Sequence, residues 1–158
     1  MLPDRTGWVA SVMLAGLMIG GAGCSSLSQP QSSSFASVAV SGATSGEIQA
    51  AVVAVFGEAG YLQARNEGDV MVFEREGSRL DHIAYGSSIG DAPVWSRVRA
   101  SIVPFAGGSL RLQCQAYVVR DYGAGHMEEE IRLLPLRAGP YQKLLERVAE
   151  RCAAQEEK

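Results

Sequence analysis

The chain has 158 residues, a formal net charge of −3 at pH 7, 47% hydrophobic residues and 20% charged residues. This balance is typical of a chain that buries one apolar core, and it excludes a disordered, highly charged protein. A mildly acidic chain also lacks the positive field that holds nucleic acid, so we expect no nucleic-acid partner.

Residues 1–23 have the pattern of a secretory signal peptide. Residues 8–20 are thirteen residues without a charge, and Arg5 precedes them. This apolar run is short for a transmembrane helix, which needs about 20 residues. It has the length of the apolar region of a signal peptide, and small residues then lead into Cys24.

The residues around Cys24 resemble the signal peptides of bacterial lipoproteins. Ala22, Gly23 and Cys24 match the end of their cleavage box, and Gly21 departs from it, since the family usually has Leu or another aliphatic residue there. The resemblance implies that the Cys24 thiol is lipidated, that residues 1–23 are removed and that the new N-terminus is acylated. Two or more acyl chains would make a firm tether. The alternatives are a cleaved secretory peptide or an uncleaved short anchor with a buried cysteine.

The residues after Cys24 suggest a destination and a tether. In well-studied two-membrane bacteria, Asp after the lipidated Cys marks inner-membrane retention, so Ser25 implies an outer-membrane lipoprotein that faces the periplasm. Ser and Gln dominate residues 25–34, which bury too little apolar surface to fold. We therefore expect a signal peptide over 1–23, a lipidated cysteine and flexible tether over 24–34, and a single domain over 35–158.

The first half of the domain predicts a strand, a helix and two more strands. Residues 34–40 are typical of a short strand. Thr44 with Glu47 forms a capping-box pattern, and apolar residues follow at helical spacing until Gly60, which predicts a helix over 45–59. Strands are predicted at 61–65 and 70–75. Residues 76–93 are predicted to be a long connection, with a hint of strand only at 82–85.

Two segments, residues 94–103 and 109–119, alternate apolar and polar side chains with a period of two, which is typical of strands with one buried face. A three-residue loop over 106–108 would set two pairs opposite each other in the core, Ile102 with Leu112 and Ala100 with Cys114. A two-residue loop would set Ile102 opposite Gln113, core against solvent. We therefore predict a hairpin with the three-residue loop.

The remaining residues predict a second helix and complete the fold class. Residues 131–136 could form a short strand, and Pro140 opens a helix with an apolar stripe that ends at Cys152. The order β-α-β-β-β-β-α predicts an α+β two-layer sandwich, an antiparallel sheet of four to five strands with two helices on one face. This layout is similar to accessory lipoproteins of the β-barrel assembly machinery and to TATA-binding-protein-like helix-grip folds, in layout only.

Cys114 and Cys152 are left once Cys24 carries lipid, and an even number in an oxidising compartment favours a disulfide. Cys114 lies on the apolar face of a strand, and Cys152 lies on the apolar face of the helix expected to cover it. We predict a Cys114–Cys152 disulfide. The alternative is two buried thiols, because cysteine is among the most buried residues.

We expect neither an enzyme nor a cofactor or metal site. Residues 86–90 match the G-x-S-x-G pattern around Ser88, but the hydrolase motif needs a helix directly after it, and Pro93 follows closely. His126 precedes three glutamates, yet a metal site needs three or four converging ligands. We assign no catalytic residue to the chain.

The strongest binding candidate is the polar face of the predicted hairpin. In the predicted register Arg97 lies opposite Tyr117. Trp, Tyr and Arg supply most of the binding energy at protein interfaces. The alternative is a solvated sheet face with ordinary cross-strand pairs. The candidate residues are Trp95, Arg97, Arg99, Arg111 and Tyr117.

These patterns together predict a lipid-anchored lipoprotein of the cell envelope. It would be a non-catalytic interaction or assembly-accessory domain with a membrane contact through the acyl chains on Cys24 and an envelope protein as partner. The alternative is a periplasmic carrier that holds a small apolar or cell-wall ligand between helices and sheet.

Overall fold

The computed structural model describes residues 34–86 and 93–156. The predicted signal peptide, Cys24 and all of the tether but Ser34 lie outside the described residues, as does Ser88. In chain order the strands and helices are β1 (Ala36–Val40), α1 (Ser45–Glu58), β2 (Leu62–Glu67), β3 (Val70–Glu76), α2 (Arg79–Tyr85), β4 (Trp95–Pro104), β5 (Leu110–Arg120), β6 (Glu129–Arg132) and α3 (Gly139–Glu156).

The six strands form one antiparallel sheet in the order β1-β5-β4-β3-β2, and β6 pairs with β5. β1 pairs with the first half of β5 and β6 with its second half, so both lie along the same edge of β5. The α+β class is confirmed, as is the antiparallel sheet. The order β-α-β-β-α-β-β-β-α adds a sixth strand and a third helix to the predicted layout.

The added helix α2 lies where only a hint of strand was predicted, so that interpretation is wrong. Ser78 and Asp81 make a capping box, in which each side chain accepts a hydrogen bond from the backbone N–H of the other. This S-x-x-D pattern satisfies two N–H groups that a helix start otherwise leaves unpaired. The strand β6 begins at Glu129, two residues before the predicted segment, and ends at Arg132.

The β4–β5 hairpin has the predicted register. Ile102 lies opposite Leu112, Ala100 opposite Cys114, and Arg97 opposite Tyr117. Gly107 and Gly108 in the loop have φ values of 69° and 78°, a left-handed conformation that glycine adopts without steric cost. The three-residue loop is therefore confirmed, and it sets every side chain of the hairpin on its predicted face.

The core lies between the helices and one face of the sheet, which we call the inner face. Phe56 and Leu145 from the two long helices are fully buried together with Val98 and Leu112 from the central strands. Burying a side chain of this size contributes about 1.5–3 kcal/mol. The Phe56 and Phe73 rings lie 4.8 Å apart between centroids, so helix and sheet pack directly against each other. No helix in the described ranges is long and apolar enough to cross a bilayer.

No disulfide joins Cys114 to Cys152, so that prediction is wrong and the alternative of two buried thiols holds. Cys114 lies between Ala36 and Ala100 in the sheet, whereas Cys152 lies beside Ala43 and Glu47 near the start of α1. Both face the core, but in different parts of it. Burial raises the pKa of the Cys114 thiol to about 12, which keeps it protonated.

Candidate functional site

The candidate site is the face of the sheet that α1 and α3 leave uncovered, which we call the outer face. The alternation along β4 and β5 places there all five residues of the predicted binding surface. Arg111 lies near the hairpin loop, where its guanidinium stacks 3.7 Å from the centroid of the Phe105 ring. Trp95 lies toward the other end, opposite Val119. The five residues therefore share a face, and Arg111 is separate from the others.

Arg97 is the centre of the outer face and is only 4% exposed. Its Nε donates to Glu74 Oε1 at 2.5 Å, and its Nη1 donates to Glu128 Oε1 at 2.7 Å and to Glu130. β3 places Glu74 directly opposite Arg97, while Glu130 comes from β6. Burial by itself would lower the pKa of Arg97, but the three carboxylates outweigh it and raise the pKa. Arg97 is therefore a permanently charged group inside a cage of acids.

Arg99 extends this cage toward the solvent. Its two terminal nitrogens donate to the two oxygens of Glu130 at 2.8 and 3.0 Å, a bidentate pairing that fixes both side chains. The guanidinium also lies 4.8 Å from the centroid of the Tyr117 ring, within cation–π range. We call Arg97, Arg99, Glu74, Glu128 and Glu130 the Arg97 cluster.

An aromatic pair closes the other side of the Arg97 cluster. The rings of Trp95 and Tyr122 stack with centroids 4.2 Å apart at 15°. Tyr122 donates its hydroxyl to Glu74 Oε2 at 2.5 Å, and this hydrogen bond is the main cause of the raised pKa of Tyr122. On the same face Val72 and Val119 have no exposed surface. The outer face thus carries a thin second layer of packed side chains, not a bare solvated sheet.

A shallow groove of about 230 Å³ runs beside the Arg97 cluster. Arg99 and Tyr117 form one wall, and Gln113 and Gln115 from β5 line its length. Because Arg99 and Tyr117 are already held by Glu130 and by each other, their exposed parts are positioned before any partner arrives. The groove is therefore a preorganised surface of mixed polar and aromatic character.

The structure divides the predicted binding residues by accessibility. Trp95, Arg99, Arg111 and Tyr117 are partly exposed, whereas Arg97 is buried and acts on its neighbours instead of on a partner. Sequence reasoning missed Glu74 and Tyr122, and it considered the acids after His126 only as metal ligands. Glu74 directly follows four apolar residues of β3, Val70 to Phe73, which was a usable signal for a buried ion pair.

Two other sequence candidates have a place in the structure. His126 is exposed in a short 3₁₀ turn, Gly125–Met127, and within residues 34–86 and 93–156 no group of three His, Cys, Asp or Glu side chains converges as a metal site. The carrier alternative needs space between helices and sheet. Fully buried side chains, among them Ile48, Val52 and Phe56, occupy that layer, so a ligand would have to displace them.

The Arg97 cluster makes the folding stability of the domain decrease at low pH. Burial would raise the pKa of Glu130, but hydrogen bonds and charges from Arg97 and Arg99 outweigh it, and the pKa lies below its ordinary 4.5. Because the pKa of Glu130 is lower in the folded state, ionised Glu130 stabilises the fold above pH 4.5. This stabilisation is lost as pH falls through the lowered pKa. We expect the melting temperature of Glu130→Gln to fall less between pH 6 and pH 3 than that of the parent.

Glu129→Gln is the matched control for this titration, because Glu129 lies on the same strand with 59% of its side chain exposed. Circular-dichroism melts at each pH measure all three proteins. A Glu130→Gln slope equal to that of the parent and of Glu129→Gln would contradict the assignment.

Comparison with protein-family models found no match to this sequence, and comparison with curated proteins found none either.

Proposed function

We propose that the protein is a lipid-anchored lipoprotein of the bacterial cell envelope. Its domain binds a protein partner through the outer face of its sheet and has no catalytic role. The anchor is Cys24, at the end of a signal-peptide pattern and before a polar tether. Ser25 favours the outer membrane, which would place the domain in the periplasm. The partner is then another component of the envelope.

The observation that carries the binding role is the groove beside Arg99 and Tyr117. Interface hot spots are enriched in Tyr, Trp and Arg held in well-packed surroundings. Arg99 and Tyr117 meet this description, because Glu130 and the stacked ring hold them while part of each side chain remains exposed. Preorganised side chains lose less entropy on binding than mobile ones. The interaction role is favoured over the carrier role because the layer between helices and sheet is filled.

Photo-crosslinking in cells tests this role. A photoreactive phenylalanine analogue replaces Tyr117 in the groove, and in a matched control it replaces Lys143, which is exposed on α3. We expect one crosslinked product of defined mass from position 117 and none of that mass from position 143. An added Gln115→Ala change in the groove wall should weaken the product from position 117, because the wall would lose contacts with the partner.

Two outcomes of the crosslinking would contradict the proposal. Identical products from positions 117 and 143, or no product from either position, would contradict binding through the outer face. The folded state of each variant is checked by its melting temperature, since neither change removes a member of the Arg97 cluster.

A further inference from the structure

Exposed large apolar side chains are concentrated in two segments of the domain. On α2, Leu80 and Ile83 are 73% and 74% exposed. Between β6 and α3, Leu134 is 69% exposed and Leu136 is 90% exposed. Such side chains grouped on a surface mark a site that a partner or a membrane covers.

Two observations bring these segments and the start of the domain to the same region. Arg137 next to Leu136 donates to Asp81 on α2 at 2.9 Å. Ser34 and Phe35 line a cavity of about 360 Å³ together with Leu134. We call Leu80, Ile83, Leu134 and Leu136 the Leu136 patch. The chain therefore enters the domain beside Leu134 of this patch, and Ser34 also lines the groove beside Tyr117.

The two segments that carry the Leu136 patch have a net charge opposite in sign to that of the whole chain. Residues 79–85 and 132–138 carry three arginines, at positions 79, 132 and 137, and one acid, Asp81. Their sum is +2, counting three positive charges and one negative, while the chain carries −3. Basic residues around exposed leucines are typical of surfaces that rest on anionic lipid headgroups.

We propose that the Leu136 patch docks on the bilayer that holds the acyl chains of Cys24. This inference rests on the lipid anchor proposed above. Residues 25–33 can span at most about 30 Å when fully extended. The tether therefore keeps Ser34 within that distance of the lipidated cysteine, which leaves the patch within reach of the headgroups. Docking buries the four apolar side chains of the patch.

Tryptophan quenching in vesicles tests the docking. The full chain is recovered from membranes and reconstituted in phosphatidylcholine and phosphatidylglycerol vesicles whose acyl chains are brominated. Leu136→Trp reports on the patch. Leu62→Trp is the matched control, because Leu62 is 70% exposed and lies on β2, at the opposite edge of the sheet from β1 and β6. The parent supplies the background, which comes from Trp95 once residues 1–23, with Trp8, are removed.

Flotation of the same vesicles reports separately on the anchor. We expect the protein to float with the vesicles. The tryptophan fluorescence of Leu136→Trp should be quenched more than that of the parent, and the quenching of Leu62→Trp should equal that of the parent. Vesicles of phosphatidylcholine alone should weaken the quenching at position 136, because the arginines lose their anionic partners.

Two results would overturn the proposal in distinguishable ways. A protein that floats but is quenched equally at positions 136 and 62 keeps its anchor, and this result refutes the docking. A protein that does not float refutes the anchor and the docking with it.

Discussion

Arg97→Met is expected to lower the free energy of unfolding by about 3–5 kcal/mol, the usual cost of removing one partner from a buried ion pair. Methionine keeps much of the side-chain volume but donates no hydrogen bond. Glu74, with 5% of its side chain exposed, would then keep a charge with no buried cation at its side. Glu128 and Glu130 would lose their shared donor as well. Urea denaturation at pH 7 measures the difference.

Two further variants separate this effect from a general loss of packing. Arg99→Met removes a guanidinium with 29% of its side chain exposed, so we expect a clearly smaller loss. Adding Glu74→Gln to Arg97→Met removes the buried carboxylate charge that has lost its arginine partner. The double variant should therefore recover part of the lost stability. A loss for Arg97→Met no larger than that for Arg99→Met would refute the central place of Arg97 in the outer face.

Cys24→Ser is expected to move the protein from the membrane fraction to the soluble fraction. A serine hydroxyl offers no thiol for the acyl chain, and without an acyl chain the protein has no covalent lipid to hold it in the bilayer. The patch around Leu136 adds only weak attachment by itself, because interfacial contacts are reversible. Fractionation of cells that express each variant, followed by detection of the protein in both fractions, measures the shift.

Ser25→Asp is the matched control for the anchor, because it changes the residue beside Cys24 and leaves the thiol in place. The protein should remain in the membrane fraction. A Cys24→Ser protein that stays in the membrane to the same extent as Ser25→Asp would show that attachment does not depend on lipid at this cysteine.

Local patterns predicted those parts of the fold that depend on neighbouring residues. The capping box at Thr44 and the alternation along β4 and β5 each involve contacts within a few residues, and both appear in the structure. The loop Ala106–Gly108 needed only its length to set the register of ten residue pairs. The helix α2 had an equally local signal at Ser78, but glycine and serine at residues 77–78 and 86–88 bound the segment and are typical of a loop.

The Arg97 cluster could not be predicted in the same way, because its members come from β3, β4, β6 and the residue before β6, Glu128. Glu74 and Glu130 are 56 positions apart, and only the sheet order brings both to Arg97. The predicted face for Arg97 was correct, but its burial depends on side chains of β6 and on Tyr122. The predicted disulfide is wrong for a related reason. Two cysteines that both face the core are not for that reason close enough to bond. A disulfide requires β-carbons roughly 3.8 Å apart.

The central claim is that a lipid on Cys24 anchors this domain, and the intact mass of the protein recovered from membranes tests it most directly. We predict a mass that begins at Cys24, exceeds the polypeptide mass by that of the acyl chains and does not change on reduction, because Cys114 and Cys152 are thiols. A mass that begins at Met1 without lipid would contradict the claim and remove the anchor on which the envelope location and the docking of the Leu136 patch depend.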